Sequence, residues 1–123
     1  MKIYRPSRYR RFGISDKCGE QAFPVYEAHE GAHAASNASA ENDAPTARMF
    51  LALVSEDLAT APLSPEEREE ANKAIEEAKA ELDREARYAV FPLGRLMDMT
   101  KEVMFRVAVE CECGKTKREG GEP

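Results

Sequence analysis

Apolar and polar residues in the middle of the chain recur with the spacing of helices. In three segments between residues 45 and 110 the apolar positions lie three or four residues apart, which is the period of an amphipathic α-helix. The pattern predicts a mainly α protein, with three to four helices around one small core. Because 123 residues is a usual length for one domain, we expect a single domain over 1–123, with its helical core at 24–110.

The first two predicted helices are separated by a polar segment. A helix is predicted from Pro24 to about Ser36, because proline suits the first helical position. Residues 36–44 are polar and predict a loop. A second helix is predicted from about Pro45, with Asp43 as its N-cap. The predicted apolar face of this second helix holds Met49, Phe50, Leu53, Val54 and Leu58.

The third predicted helix has the clearest start. The sequence Ser64-Pro65-Glu66-Glu67 provides an N-cap serine, a proline at the first helical position and a glutamate three residues after the cap, which is a capping box. Small and aliphatic residues then recur at spacings of three and four, namely Ala71, Ile75, Ala78, Leu82, Ala86 and Ala89. The rest of this helix is acidic, so we expect it to lie on the core with a charged outer face.

The end of the chain allows two interpretations. Phe91-Pro92 predicts a break, and a fourth helix is predicted from about Gly94 to Glu110. Residues 105–113 also alternate between apolar and polar positions, so the alternative is a C-terminal strand that pairs with the N-terminal segment. Residues 114–123 are charged and glycine-rich, and we expect a frayed tail there.

The N-terminal segment is basic, whereas the rest of the chain is acidic. Residues 1–22 contain recurring proline and glycine, which predicts a short strand or an extended arm. Residues 1–17 carry a net charge of +5 and the remainder carries −10. Charge segregation of this kind favours contact with a macromolecular partner, most simply a protein. The predicted partner-binding residues of the arm are Tyr4, Arg5, Arg8, Tyr9, Arg10 and Arg11.

Two alternatives remain for this basic arm. It could fold back onto an acidic helix of its own chain, which is the simpler explanation of the charge segregation. It could also bind a single-stranded nucleic acid, with arginines on phosphates and aromatic rings on bases, although the acidic remainder of the chain would repel the same polymer.

Composition excludes several classes of protein. No apolar stretch approaches the ~18 residues that a membrane-spanning helix needs, so we expect no membrane partner. The basic N-terminus is not followed by the apolar run of a secretory signal. Three cysteines are an odd number and do not make a secreted disulfide framework. We therefore expect a cytoplasmic protein.

One short motif suggests metal chemistry. His29-Glu30-Gly31-Ala32-His33 resembles the HExxH signature of zinc metallopeptidases over five residues. The resemblance implies that His29 and His33 hold a zinc ion while Glu30 is the general base. In the gluzincin branch of that group the third ligand is a glutamate on a following helix, a position that Glu56 matches best.

The cysteines suggest a different, structural zinc site. Cys111 and Cys113 lie close together in the sequence, and Cys18 is a third thiol. Together with His29 or His33 they would give Zn²⁺ the thiolate and imidazole ligands that it prefers. The spacing does not match a zinc ribbon, however, and buried structural cysteines are the simpler interpretation.

The scarcity of candidate catalytic groups favours a small non-catalytic binding or regulatory protein, for example an inhibitor, that acts through charged faces and needs no cofactor. The alternative is a minimal zinc-dependent hydrolase.

Overall fold

The computed structural model describes the backbone of residues 16–110 and, within that range, the side chains of residues 23–107 and 109. These residues form four α-helices and one short 3₁₀ helix, and no strand occurs among them. The predicted mainly α class is therefore confirmed. The elements are α1 (Asp16–Ala40), α2 (Ala44–Ala59), α3 (Pro65–Arg84), the 3₁₀ helix (Ala86–Ala89) and α4 (Val90–Glu110).

The four helices form an up-and-down bundle. Each helix packs against its neighbour in the chain, and α4 packs back against α1. Successive helices are joined by short connections, and the two crossing pairs between α3 and α4, Glu67 with Arg106 and Glu77 with Arg95, run in opposite directions, so adjacent helices are antiparallel. As a result Asp16, where α1 begins, and Glu110, where α4 ends, lie at the same end of the bundle. The crossing pairs are Gly31 with Val54, Arg48 with Asp83, Glu77 with Arg95, Glu67 with Arg106 and His29 with Thr100.

A tight turn joins α1 to α2. The amide of Asp43 donates to the carbonyl of Ala38 over 2.8 Å, and the amide of Asn42 donates to that of Ser39 over 2.9 Å. These two bonds form a Schellman motif, whose left-handed position is taken by Asn42 with φ of 63°. The Asp43 carboxylate then caps α2, as predicted, by accepting from the amide of Thr46. Because the motif needs so few residues, the predicted loop at 36–44 is wrong over 36–40 and at Ala44, which are helical.

The predicted capping box at the start of α3 is confirmed. The Glu67 amide donates to Ser64 Oγ over 3.1 Å, and the Ser64 amide donates to the Glu67 carboxylate over 2.9 Å. The same carboxylate pairs with Arg106 of α4, and this pairing is the main reason why the pKa of Glu67 is lowered. Arg68 donates to the carbonyls of Leu58 and Ala61. Arg68 therefore fixes the connection between α2 and α3, and Arg106 of α4 fixes the start of α3.

The core is one cluster of mostly small aliphatic side chains contributed by all four helices. On α2 the buried residues are Ala47, Leu51, Val54 and Leu58. The predicted α2 face was therefore partly wrong, because Met49 and Leu53 point outward with exposed fractions of 54% and 47%. Helical periodicity does not distinguish the buried face from the neighbouring exposed face. The buried face includes only an alanine at position 47, whereas the exposed face carries the larger Met49 and Leu53.

The predicted boundaries also differ from the structure at the start of α1, at the end of α3 and at the start of α4. Helix α1 begins at Asp16 and contains Pro24, so the predicted arm is wrong over 16–22. Proline lacks a backbone N–H and therefore removes one helical hydrogen bond, but a helix does not have to start at a proline. Residues 1–15 of the predicted arm or strand lie outside the described range.

Helix α3 ends at Arg84, because Glu85 is extended with φ of −156°. Helix α4 begins at Val90, and Pro92 falls in its first turn, where a missing N–H costs nothing. The predicted helix to Glu110 is confirmed, and the alternative strand at 105–113 is wrong over 105–110. Residues 111–113 and the predicted tail at 114–123 lie outside the described range. No helix in residues 16–110 is both long and apolar enough to span a membrane.

Candidate functional site

His29 is a half-buried residue that joins α1 to α4. Its Nδ1 lies 2.9 Å from the hydroxyl of the fully buried Thr100. That hydroxyl also lies 2.8 Å from the carbonyl of Leu96 and 3.0 Å from that of Met97. Carbonyls only accept, so the hydroxyl donates to α4 and accepts from His29 Nδ1–H. Nδ1 therefore carries the proton in the neutral ring, and Nε2 holds the lone pair.

Burial lowers the pKa of His29 below its ordinary value of 6.5. The backbone carbonyl of Met97 and the Glu30 carboxylate act in the opposite direction, because both stabilise the charged imidazolium. His33 and Lys101 add to the lowering, because positive charge nearby disfavours the imidazolium. The neutral imidazole is therefore the form that the fold favours.

Gly31, in the middle of the same motif, is where α1 meets α2 most closely. A Cβ at this position would lie 2.8 Å from Val54 Cγ2 and 3.6 Å from the carbonyl oxygen of Phe50. Val54 is fully buried and β-branched, so its methyl group has little freedom to move away. Glycine lowers helix propensity by ~1 kcal/mol relative to alanine, and here it permits the close approach of two helices.

The predicted zinc ligands are only partly brought together. His29 and His33 lie one turn apart on α1, where His33 is exposed and lies 3.5 Å from the side-chain amide of Asn37. Glu30 is exposed, and Glu56 is exposed on α2. In the described part of the chain no three His, Cys, Asp or Glu side chains converge as a metal site would require. The zinc hydrolase therefore stays a prediction.

The other predicted site residues lie at or beyond the ends of the described range. Cys18 is in the first turn of α1, and its side chain is not among those described. Cys111, Cys113 and the six predicted partner-binding residues of the arm lie outside residues 16–110. The structural zinc site and the partner-binding role of the arm therefore stay predictions.

Helix α3 carries a charged outer surface. In its second half four carboxylates have basic partners: Glu76 with Lys79, Glu77 with Arg95, Glu81 with Arg84 and Asp83 with Arg48. In its first half Glu66, Glu69 and Glu70 are exposed, and none of them has an ion pair with another described residue. We call these three residues the α3 carboxylate row.

A second acidic group spans α1 and α2. The pKa of Asp57 is raised, first by partial burial and then by the negative charges of Glu27 and Glu56. Asp57 therefore lies close enough to interact both with its neighbour Glu56 and with Glu27 across the two helices.

Sequence reasoning missed the long-range partners of these residues. His29 and Thr100 are 71 positions apart, and Glu67 and Arg106 are 39 apart. A buried threonine in an apolar face is the one sequence signal that could have indicated a polar partner for His29, because a buried hydroxyl needs a hydrogen bond.

Comparison of the chain with protein-family models, curated proteins and solved structures finds no match. The geometry of the described residues is therefore the basis for any functional assignment.

Proposed function

We propose that this protein is a non-catalytic binding module that engages a basic surface of a protein partner through the α3 carboxylate row. The observation that carries the proposal is the difference between the two halves of α3. The second half pairs its carboxylates within the bundle, whereas Glu66, Glu69 and Glu70 face solvent without an ion pair among the described residues.

The position of the row supports this role. The row lies in the first turns of α3, beside a start that is fixed by the capping box and by Arg106. Negative charge is stabilising at a helix N-terminus, so the fold tolerates three neighbouring carboxylates there. Charges on a rigid element mainly raise the rate of encounter and select the partner.

The proposal can be tested by recovering partners from an extract of the source cells. The test variant removes three charges with Glu66→Gln, Glu69→Gln and Glu70→Gln. A matched control removes three exposed charges elsewhere, with Glu41→Gln, Asp98→Asn and Glu102→Gln. We expect the test variant to recover at least about tenfold less of a partner that the control recovers fully, because loss of several charge contacts costs more than 1.4 kcal/mol, the equivalent of a factor of ten.

Thermal unfolding of both variants shows whether the bundle remains folded. Equal recovery by the test variant and the wild type would contradict the proposal. Equal losses in both variants would show that net charge alone, and not the α3 carboxylate row, determines capture.

A further inference from the structure

The outer face of α2 carries apolar side chains that the core does not use. Met49, Leu53 and Asp57 are spaced four residues apart, so they lie along one face of the helix. Met49 and Leu53 are about half exposed. Asp57 lies near Glu56 and near Glu27 of α1. We call the five residues Glu27, Met49, Leu53, Glu56 and Asp57 the α1–α2 surface.

This surface combines apolar area with negative charge. The α3 carboxylate row differs, because no large hydrophobic side chain is exposed on α3. A segment that fits the α1–α2 surface therefore needs both positive charges and large apolar or aromatic side chains.

Residues 1–15 have this composition. They contain five basic residues, no acidic residue and three aromatic residues. The remainder of the chain carries a negative charge, so the segment is complementary to it in sign. The aromatic residues Tyr4, Tyr9 and Phe12 alternate with the arginines, as a mixed apolar and acidic surface requires.

The segment is also long enough to reach. Helix α1 begins at Asp16, and Glu27 lies eleven residues further along, or about 16 Å at the helical rise per residue. An extended segment of 15 residues spans up to about 50 Å. The segment can therefore cover the whole length of the surface, and its attachment to α1 gives it a high effective concentration there.

We propose that residues 1–15 dock on the α1–α2 surface of their own chain. The arginines face Glu27, Glu56 and Asp57, and the aromatic side chains cover Met49 and Leu53. The proposal is independent of the α3 carboxylate row, which stays open to a partner.

The test uses amide resonances of the full chain in solution, followed by ¹⁵N NMR. Arg8→Glu, Arg10→Glu and Arg11→Glu together should shift amides at 27–31 and at 49–57, because the docked charges are lost. Adding Glu27→Lys and Asp57→Lys to that variant should move the amide resonances of residues 1–15 back toward their wild-type positions. At about 1 M salt, where the Debye length is about 3 Å, the wild-type spectrum should approach that of the arginine variant.

A matched control places the same positive charge elsewhere. Glu66→Lys and Glu69→Lys should leave the resonances of residues 1–15 unchanged. If this control moves them, the segment lies on α3 and the proposal is wrong. If the arginine variant shifts no amide beyond residue 20, the segment does not dock on the bundle, and the proposal is equally overturned. Far-UV circular dichroism establishes that each variant keeps its helices.

Discussion

Helix α1 meets its two neighbours through different kinds of contact. Towards α2 the contact depends on the missing side chain of Gly31, which lets Val54 approach. Towards α4 it includes a polar bridge, in which His29 bonds the buried hydroxyl of Thr100. The first contact is specified by shape and the second by hydrogen bonding and protonation. They should therefore respond to different perturbations, the first to added volume and the second to lost polar groups and to pH.

The largest effect is expected from adding volume at the α1–α2 contact. Gly31→Ala should lower the free energy of unfolding by about 1–3 kcal/mol, because overpacking against Val54 outweighs the gain in helix propensity. The measurement is chemical denaturation of the wild type and the variant.

Gly94→Ala is the matched control for this substitution. Gly94 lies inside α4, and a Cβ there meets nothing within 4 Å. This variant should gain about 0.5–1 kcal/mol. If both substitutions stabilise the protein, the close approach at Gly31 does not constrain the residue at this position, and the α1–α2 contact is not specified by shape.

The next effect concerns the polar bridge between α1 and α4. Thr100→Val keeps a β-branched side chain but removes the hydroxyl that accepts from His29, and should cost about 1 kcal/mol. The exposed Thr60 provides a control, since Thr60→Val should change stability by less than about 0.5 kcal/mol. Equal effects at both positions would show that the buried bridge contributes nothing.

A smaller effect is expected from pH. The pKa of His29 is lowered on folding, so below 6.5 the unfolded chain binds the proton more readily than the folded one. The stability that the neutral ring contributes is present above the unfolded pKa and is lost as pH falls through it towards the folded value.

This pH dependence can be isolated with two variants. His29→Gln should lose less stability than the wild type between about pH 7.5 and about pH 5. His33→Gln, which removes an exposed imidazole from the same helix, is the control. A wild-type loss that persists unchanged in His29→Gln would assign the pH dependence to other groups.

The smallest effect is expected at a second buried hydroxyl. Ser39 of α1 is fully buried, and its Oγ has no hydrogen-bond partner among the described residues. Ser39→Ala should leave stability unchanged or raise it by up to about 1 kcal/mol, because it removes an unsatisfied polar group and favours the helix. A loss above about 1 kcal/mol in denaturation would show that this hydroxyl has a bonding role comparable with that of Thr100.

Features that are local in sequence could be predicted, and features that depend on another helix could not. The capping box at Ser64 and Glu67 and the cap at Asp43 were predicted because all their atoms lie within four residues. The end of α1 was missed because Asn42 provides a left-handed turn that composition alone does not distinguish from a loop.

The α2 face and the role of Gly31 illustrate the second kind. Met49 and Leu53 match helical spacing as well as the buried Ala47 and Leu51 do, so only the position of α1 decides between the two faces. Gly31 weakens its own helix when it is considered alone. Glycine is needed at this position because of a valine 23 positions away in the chain. No local sequence pattern includes both residues.

The antiparallel arrangement of α1 and α4 also has a practical consequence. Because Asp16 and Glu110 lie at the same end of the bundle, a short linker could join them, and new termini could be opened at the turn between α1 and α2. Permuted chains of this kind are tolerated where ends are close and the cut lies in an exposed turn. The same geometry would let residues 16–110 be inserted into a surface loop of a host protein, so that folding of the bundle could be followed through the activity of the host.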